Sequence, residues 1–310
     1  MLNFVVVALL SPLLAYLCLA DSWRYPTPDP DGNIGPPEHW EGVCDSGRRQ
    51  SPIDLSYKAA VKGIYPELMF LGYDQLLQNA SIVNTGHTAQ ITLGDSMPAI
   101  LGGGLRNKYI LEQFHFHWSS EHTIEGTRYA LELHLVHRHS KYSSIEKAST
   151  EKAGIAVLAV LFHVHELPNP AIRTILAAAE PLHRSIDILT PFREQLRLAE
   201  LLPTDPQVYF RYEGSLTTPV CAESVIWTVF PASLPISLDQ LQEFQTLHDL
   251  DDKPMLANYR TIQSLNARVL VLVDDTDWTL NGTGRVRNPA AIALTIGAAL
   301  VLLWDSFFRS

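Results

Sequence analysis

Short stretches in which apolar and polar residues alternate make up most of the chain, and Gly, Pro, Asn and Asp separate them. A period of two is typical of β-strands, because successive side chains of a strand point to opposite faces. No internal repeat or low-complexity run interrupts the pattern. The predicted strands, rich in β-branched and aromatic residues, are Leu111 to Trp118, Ala130 to His137, Ile155 to Val164, Val208 to Tyr212, Val225 to Phe230 and Arg268 to Val273. We therefore expect one α+β domain dominated by its sheet.

Helical patterns are fewer. Ala171 to Ala179 follows a Pro-Asn-Pro turn, and Ser237 to Leu247 begins with a serine that can cap a helix. The segment Trp23 to Gln50 is rich in Pro, Gly and Asp, which predicts irregular chain lying over the body of the domain.

The first twenty residues are apolar and end in Cys-Leu-Ala, before Asp21. Small residues at that place are what a signal peptidase reads. We interpret 1–20 as a cleaved signal peptide and 21–278 as the folded domain. A buried N-terminal helix is the alternative.

The other end of the chain carries a second apolar segment, 289–310, which is almost wholly apolar from Pro289 to Trp304. That stretch is shorter than the roughly 20 residues that span a bilayer. The polar linker before it, 279–288, contains Gly282-Thr283-Gly284, small residues that suit a lipid-attachment site. We expect 289–310 to be an anchor signal replaced by a glycosylphosphatidylinositol (GPI) anchor, with a single transmembrane helix as the alternative.

Removal of the signal peptide would leave two cysteines, Cys44 and Cys221. An even number in an oxidising compartment favours a disulfide, although two unrelated buried thiols remain the alternative. Glycosylation sequons at Asn79 and Asn281 agree with secretion. We expect a protein of the secretory pathway at the extracellular face of the plasma membrane.

Charge excludes one class of partner. The chain has 33 acidic and 23 basic residues, a net charge of −10, and no run of Lys or Arg. A phosphate backbone therefore has little to bind, and we expect no nucleic acid partner.

Three histidines lie on the polar faces of two predicted strands. In Gln113-Phe-His-Phe-His-Trp, the period of two places His115 and His117 on one face, and in the next strand it places His134 beside Glu132. If the strands pair, three imidazoles converge.

Three nitrogen ligands with an open fourth position are typical of a catalytic zinc site, whereas a structural zinc site is closed by four Cys or His ligands. A single histidine in a strand is more often a packing residue, but buried polar groups need partners and a shared metal satisfies all three. The pattern predicts Zn²⁺ at His115, His117 and His134. We assign His122, His137 and His139 structural roles.

A series of short motifs runs along the chain from about Trp23 to Val273. They are Gly35-Pro-Pro-Glu-His-Trp40, Arg49-Gln-Ser-Pro-Ile-Asp54, Asn84-Thr-Gly-His87, Gln113-Phe-His-Phe-His-Trp118, Ser120-Glu-His-Thr123, Glu132-Leu-His-Leu-Val-His137, Gly214-Ser-Leu-Thr-Thr-Pro219 and Asn258-Tyr-Arg260. Together these motifs resemble those of the α-class carbonic anhydrases. The resemblance is nearest to the membrane-anchored extracellular subgroup, whose disulfide pair Cys44 and Cys221 resemble. It implies a central, mostly antiparallel twisted sheet of about ten strands with a conical cleft and zinc at its floor.

The resemblance also implies the reaction, the reversible hydration of carbon dioxide to bicarbonate and a proton by zinc-activated water. Thr217 would accept a hydrogen bond from the attacking hydroxide and donate its own to Glu121, and His87 would shuttle the proton. Further residues that match family positions are Gln113, Glu132 and Asn258 behind the zinc ligands, Thr218 beside bicarbonate, Val136, Val157, Leu216, Val225 and Trp227 around carbon dioxide, and Tyr25, Thr85 and Gln90 along the proton path.

The sequence differs from the family between Trp118 and Glu121. Only Ser119 and Ser120 lie there, where the family usually has a longer, Gly-containing loop. If the short connection displaced Glu121, activity would fall while zinc stayed bound. There are two alternatives to an active carbonic anhydrase. One is a weakly active or non-catalytic zinc-containing recognition domain of the same fold, and the other is a zinc hydrolase of esters or peptides.

Overall fold

The computed structural model describes residues 23–25, 40–94 and 97–274. The predicted signal peptide, the linker 279–288, the anchor segment 289–310 and Asn281 lie outside the described residues. Strands dominate the described part. The first eight are β1 (Asp54–Leu55), β2 (Val61–Gly63), β3 (Leu68–Leu71), β4 (Ser81–Asn84), β5 (Ala89–Thr92), β6 (Ala99–Gly102), β7 (Leu105–His117) and β8 (Thr123–Ile124). The others are β9 (Thr127–Arg128), β10 (Leu131–His139), β11 (Ile155–Val164), β12 (Thr190–Pro191), β13 (Tyr209–Gly214), β14 (Val225–Ile236) and β15 (Val271–Val273).

Twelve of these strands form one mixed sheet, two more than the approximate number expected. Its main path runs β12-β4-β5-β7-β10-β11-β14-β13-β15-β2, with β6 also paired to β7 and β3 paired to β6. Most neighbours are antiparallel, but β11 and β14 are parallel, as are β15 and β2. A separate three-stranded sheet joins β1, β8 and β9.

The centre of the large sheet is covered on both faces. All nine residues of β10 are buried, and eight of the ten residues of β11 are. A strand buried on both faces needs a nearly continuous apolar run, which Ile155–Val164 supplies. Phe114, Phe116 and Leu133 belong to the larger apolar cluster, which leaves the opposite face of β7 and β10 for the histidines.

The described part of the chain contains four short α-helices: α1 (Val43–Ser46), α2 (Ile145–Ser149), α3 (Pro170–Ala179) and α4 (Leu238–Phe244). Single turns of 3₁₀ helix cover Glu180–Leu182 and Leu198–Leu201. Both predicted helices are present. Asn169 caps α3, and Ser237 with Gln240 forms a capping box at α4.

Most predicted strands have the right centres and the wrong ends. β11 matches its prediction fully, whereas β7 begins at Leu105 and β14 continues to Ile236. The start of β7 was not predicted because three consecutive residues there are polar and exposed, which breaks the alternation: Arg106, Asn107 and Lys108. The predicted strand ended at Phe230 because prolines follow, and proline is uncommon in a sheet, but β14 continues through them.

The disulfide between Cys44 and Cys221 is confirmed, and it links positions 177 residues apart. Trp40 forms a buried cluster with the two cysteines, and Trp23 and Tyr25 pack against this cluster. Among residues 23–25, 40–94 and 97–274, no helix combines the length and the apolar character needed to cross a bilayer.

Candidate metal centre

The pairing of β7 with β10 brings the three predicted histidines together. In this register His115 lies opposite His134, and His117 lies opposite Glu132. The ring centroids of the three histidines are 4.5 to 5.2 Å apart. One ligand nitrogen from each ring lies within 4.8 Å of the other two. The predicted convergence of the imidazoles is therefore present.

One nitrogen of each ring is held by an oxygen of the protein, which leaves the other nitrogen for a metal. The three contacts are His115 Nδ1 to Gln113 Oε1 at 2.8 Å, His117 Nδ1 to the Asn258 carbonyl at 2.7 Å, and His134 Nε2 to Glu132 Oε1 at 2.7 Å. An imidazole that donates one N–H to such an oxygen presents the lone pair of its other nitrogen. These three partners occupy the positions that the family resemblance implies.

The chemistry of this donor set fits a zinc ion. Burial, followed by the neighbouring His117 and His134, holds the pKa of His115 well below its usual value. Burial likewise lowers the pKa of His117, so both rings stay neutral at physiological pH. His117 Nε2 is buried and has no hydrogen-bond partner among the described residues. A buried nitrogen of this kind is costly unless something binds it, and three neutral imidazoles are an ordinary zinc ligand set.

Glu132 holds a second histidine as well. Its Oε1 lies 2.6 Å from His122 Nδ1, and its Oε2 accepts the His122 backbone N–H. The other nitrogen of His122 contacts Tyr212 Oη at 2.6 Å, and Tyr212 donates to Ser51 Oγ. Burial alone would raise the pKa of Glu132, but the adjacent His122 and His134 outweigh burial and lower it well below its usual value. His122 was expected to be structural. Tyr212 ends a predicted strand and Ser51 lies in a family motif, but neither position indicates by itself a contact with His122.

Glu121 is fully buried at the site despite the short connection before it. Its Oε1 accepts the Arg260 backbone N–H at 2.9 Å, and its Oε2 lies 3.6 Å from His117 Nε2. Oε2 has no hydrogen-bond partner among the described residues. The hydrogen bond expected from Thr217, which is itself buried, is therefore not formed in this structure.

The predicted apolar wall lies next to the histidines. Trp227 packs against His134 with ring centroids 4.8 Å apart. Val136, Val157 and Val225 are buried in the same apolar cluster as Trp227, and Leu216 packs against that cluster from a half-buried position. Thr218 follows Thr217 and is half-buried.

His87 is half-buried in an aromatic group with Trp23 and Tyr25. Its ring stacks on Trp23 with centroids 3.7 Å apart, and its Nε2 lies 3.1 Å from the Trp23 carbonyl. Tyr25 packs edge-on to His87, and Thr85 accepts the His87 backbone N–H. Burial, and then the charge of Glu121, raise the pKa of Tyr25 well above its usual value, so its hydroxyl keeps its proton.

Gln90 lies opposite His115 in the pairing of β5 with β7. Its amide donates to Thr92 Oγ1 at 3.2 Å. The predicted proton-path residues are thus divided between the neighbourhood of His87 and the neighbourhood of His115.

Comparison with known proteins agrees with this geometry. Residues 35–273 match the model of the family described as eukaryotic-type carbonic anhydrase. The chain is 36% identical to the putative carbonic anhydrase 3 of Caenorhabditis elegans over 80% of this chain and 96% of the relative. It is 33% identical to mouse carbonic anhydrase 15 over 86% of this chain and 88% of that protein. It is 36% identical to rabbit carbonic anhydrase 4 over 75% of this chain and 78% of that protein. With zinc as the cofactor of its family and a histidine triad able to hold it, the chain belongs to the eukaryotic-type carbonic anhydrases and is an enzyme of that kind.

Proposed function

We propose that this protein catalyses the reversible hydration of carbon dioxide to bicarbonate and a proton, at a zinc ion held by His115, His117 and His134. The observation that supports this proposal most strongly is the paired register of β7 and β10, which brings three imidazoles to one point. Gln113, Glu132 and the Asn258 carbonyl fix the ring orientations.

When bound, zinc supplies a Lewis acid that lowers the pKa of water to about 7, a property for which carbonic anhydrase is the standard example. A ligand histidine needs to be neutral to present its lone pair, and burial lowers the pKa of His115 and His117 so that both are. Glu132 strengthens His134 as a ligand because its carboxylate accepts the ring N–H.

Thr217 and Glu121 orient the nucleophile. The Thr217 hydroxyl accepts a hydrogen bond from the attacking oxygen and donates a hydrogen bond to Glu121. Oε2 of Glu121 is the acceptor for this step, since no described residue donates to it and Oε1 is already held by Arg260. A lone pair fixed in this way points at the carbon atom of the substrate.

Carbon dioxide has no net charge, so a dry apolar wall beside the nucleophile is sufficient to hold it. Val136, Val157, Leu216, Val225 and Trp227 form that wall, in contact with His134 through Trp227. Thr218 borders the product bicarbonate.

The reaction releases a proton, which has to reach solvent before the next turnover. A histidine is suited to carry it because its ordinary pKa is close to neutrality. We assign this role to His87, at the half-buried edge of the site, with Tyr25, Thr85 and Gln90 ordering the water between.

We also propose that the enzyme works outside the cell, held at the membrane by a C-terminal GPI anchor. The Cys44–Cys221 disulfide supports an oxidising compartment, and the sequon residue Asn79 is exposed to solvent. A phosphatidylinositol-cleaving phospholipase should release the enzyme from intact cells. Retention after complete cleavage of a known GPI-linked marker would contradict the anchor and favour a transmembrane helix.

Stopped-flow hydration of carbon dioxide with a pH dye tests the reaction. His134→Ala and His137→Ala form a matched pair, because both histidines are buried on β10 and only His134 faces the metal centre. We expect His134→Ala to lose zinc and activity, as His115→Ala should, and His137→Ala to keep both when folded. A zinc-loaded wild type with no hydration rate would favour a recognition domain and contradict the proposal.

A further inference from the structure

The connection that carries Glu121 is two residues long, and a side chain from another strand binds its carbonyl groups. Ser119 and Ser120 alone join Trp118 to Glu121. The Ser120 backbone N–H donates to the Tyr129 carbonyl, and the Ser120 hydroxyl donates to the His122 carbonyl. These bonds fix the start of the connection but leave its carbonyl oxygens to another donor.

That donor is Arg128, the last residue of β9. Its Nη1 donates to the Ser120 carbonyl and lies 3.4 Å from the Glu121 carbonyl. One guanidinium therefore contacts the peptide groups before and after Glu121. Arg128 is half-buried, so these bonds are partly shielded from competing water.

The same guanidinium contacts the segment that holds the carboxylate. Its carbon Cζ lies 4.2 Å from the ring centre of Tyr259, a stacking distance for a planar cation on an aromatic face. Tyr259 stands between two residues that act on the site. The carbonyl of Asn258 accepts from His117, and the backbone N–H of Arg260 donates to Glu121 Oε1.

We infer that Arg128 is a positioning residue for Glu121. It fixes the Glu121 backbone through the carbonyls and the Glu121 carboxylate through the Tyr259 segment. This inference rests on the proposed role of Glu121 in orienting the nucleophile. The side-chain contacts of Arg128 among the described residues are with Ser120, Glu121 and Tyr259, and none of these is a zinc ligand.

Arg128→Lys keeps the positive charge but removes the planar fork, so it cannot both stack on Tyr259 and bind the carbonyls in the same way. We expect kcat for carbon dioxide hydration to fall about 10-fold with KM within about twofold and zinc content unchanged. Arg138→Lys is the matched control. Arg138 also donates to a backbone carbonyl, that of Tyr142, but lies at the far end of β10. Its lysine variant should keep the wild-type kcat.

A double-mutant cycle separates positioning from general stabilisation. If Arg128 acts through Glu121, Arg128→Lys should have little further effect on kcat in a Glu121→Gln background, while a structural role would give additive losses. Added methylguanidinium should partly restore kcat to Arg128→Ala and leave Glu121→Gln unchanged.

Two results would overturn the inference while the proposed function stands. One is an unchanged kcat in Arg128→Lys, and the other is an additive cycle in an active enzyme. A wild-type protein without zinc-dependent hydration would overturn the proposed function and this inference with it.

Discussion

Glu132 Oε1 lies 2.7 Å from Nε2 of His134, and both side chains are fully buried on the same face of β10. The contact leaves Nδ1 of His134 directed to the other two histidines, so the carboxylate decides which nitrogen can bind metal. Glu132 also accepts hydrogen bonds from the ring and backbone of His122. One carboxylate therefore connects the metal centre to the Tyr212 and Ser51 hydroxyls.

Replacement of this carboxylate should weaken zinc binding. We expect Glu132→Gln to reduce zinc affinity about 10- to 100-fold, because an amide is a weaker acceptor for the His134 N–H. Competition with a chromogenic chelator measures the affinity. Glu112→Gln is the control, since Glu112 pairs with Arg138 on the neighbouring strand. Equal affinities for Glu132→Gln and the wild type would refute the assigned role.

Removal of the Thr217 hydroxyl should leave the metal and slow the reaction. Thr217→Val keeps the shape of the side chain and takes away both the acceptor and the donor. We expect kcat to fall about 100-fold at full zinc occupancy, because the nucleophile loses its fixed direction. Thr228→Val, which also removes a buried hydroxyl, should fold less stably with kcat near the wild type. Zinc loss in Thr217→Val would show instead that this hydroxyl supports the metal centre.

The proton carrier should be visible through buffer dependence. In dilute buffer we expect His87→Ala to lower the maximal hydration rate about 100-fold, the low end of the effect of a proton-transferring side chain. Concentrated imidazole should restore the rate, because it accepts the proton directly. His165→Ala removes an exposed histidine that directly follows β11, and its hydration rate should equal that of the wild type in every buffer. A buffer-independent His87→Ala enzyme at the wild-type rate would exclude His87 as carrier.

His137 gives a pH-dependent contribution to stability that is separate from catalysis. Its Nε2 accepts the Tyr73 hydroxyl at 2.6 Å, and its Nδ1 donates to the Ala156 carbonyl at 3.1 Å. Burial lowers the pKa of His137 to about 3, whereas the unfolded chain should show a pKa near 6.5. As the pH falls below about 6.5 the unfolded state takes up a proton that the folded state refuses, so stability is lost down to about pH 3.

The resulting loss between pH 7 and pH 5 is about 2 kcal/mol in the free energy of unfolding. His137→Gln keeps a partner for Tyr73 and cannot titrate. We expect this variant to lose less stability than the wild type over the same interval, measured by denaturant titration at each pH. Identical pH dependence of the two proteins would show that folding does not lower the pKa of His137.

The local pattern was sufficient to predict which histidines share a face. His115 and His117 are two residues apart on one strand, and Glu132 and His134 are two apart on another, so a period of two alone determines their common orientation. Which strands pair is a long-range property that the local pattern does not determine, so the convergence of the histidines depended on the assumption that these two strands pair. The structure supplies the register, with His115 opposite His134.

Contacts between distant segments were not predictable in this way. Arg128 and Tyr259 are remote in sequence and neither lies in a periodic pattern that indicates the other. The hydrogen bond from Arg260 to Glu121 uses a backbone N–H, which any residue could provide. The Thr217–Glu121 bond was expected from the family and is absent from this structure, so it stays a prediction, as do the domain boundaries and the anchor.

Zinc titration of metal-free enzyme tests the central claim most directly. The protein is stripped with a chelator, and carbon dioxide hydration is measured by stopped flow as zinc is added back. With a single site formed by His115, His117 and His134, the rate should rise linearly to one equivalent of zinc and then stay constant. A hydration rate that zinc does not restore, or one that persists in the stripped protein, would contradict it.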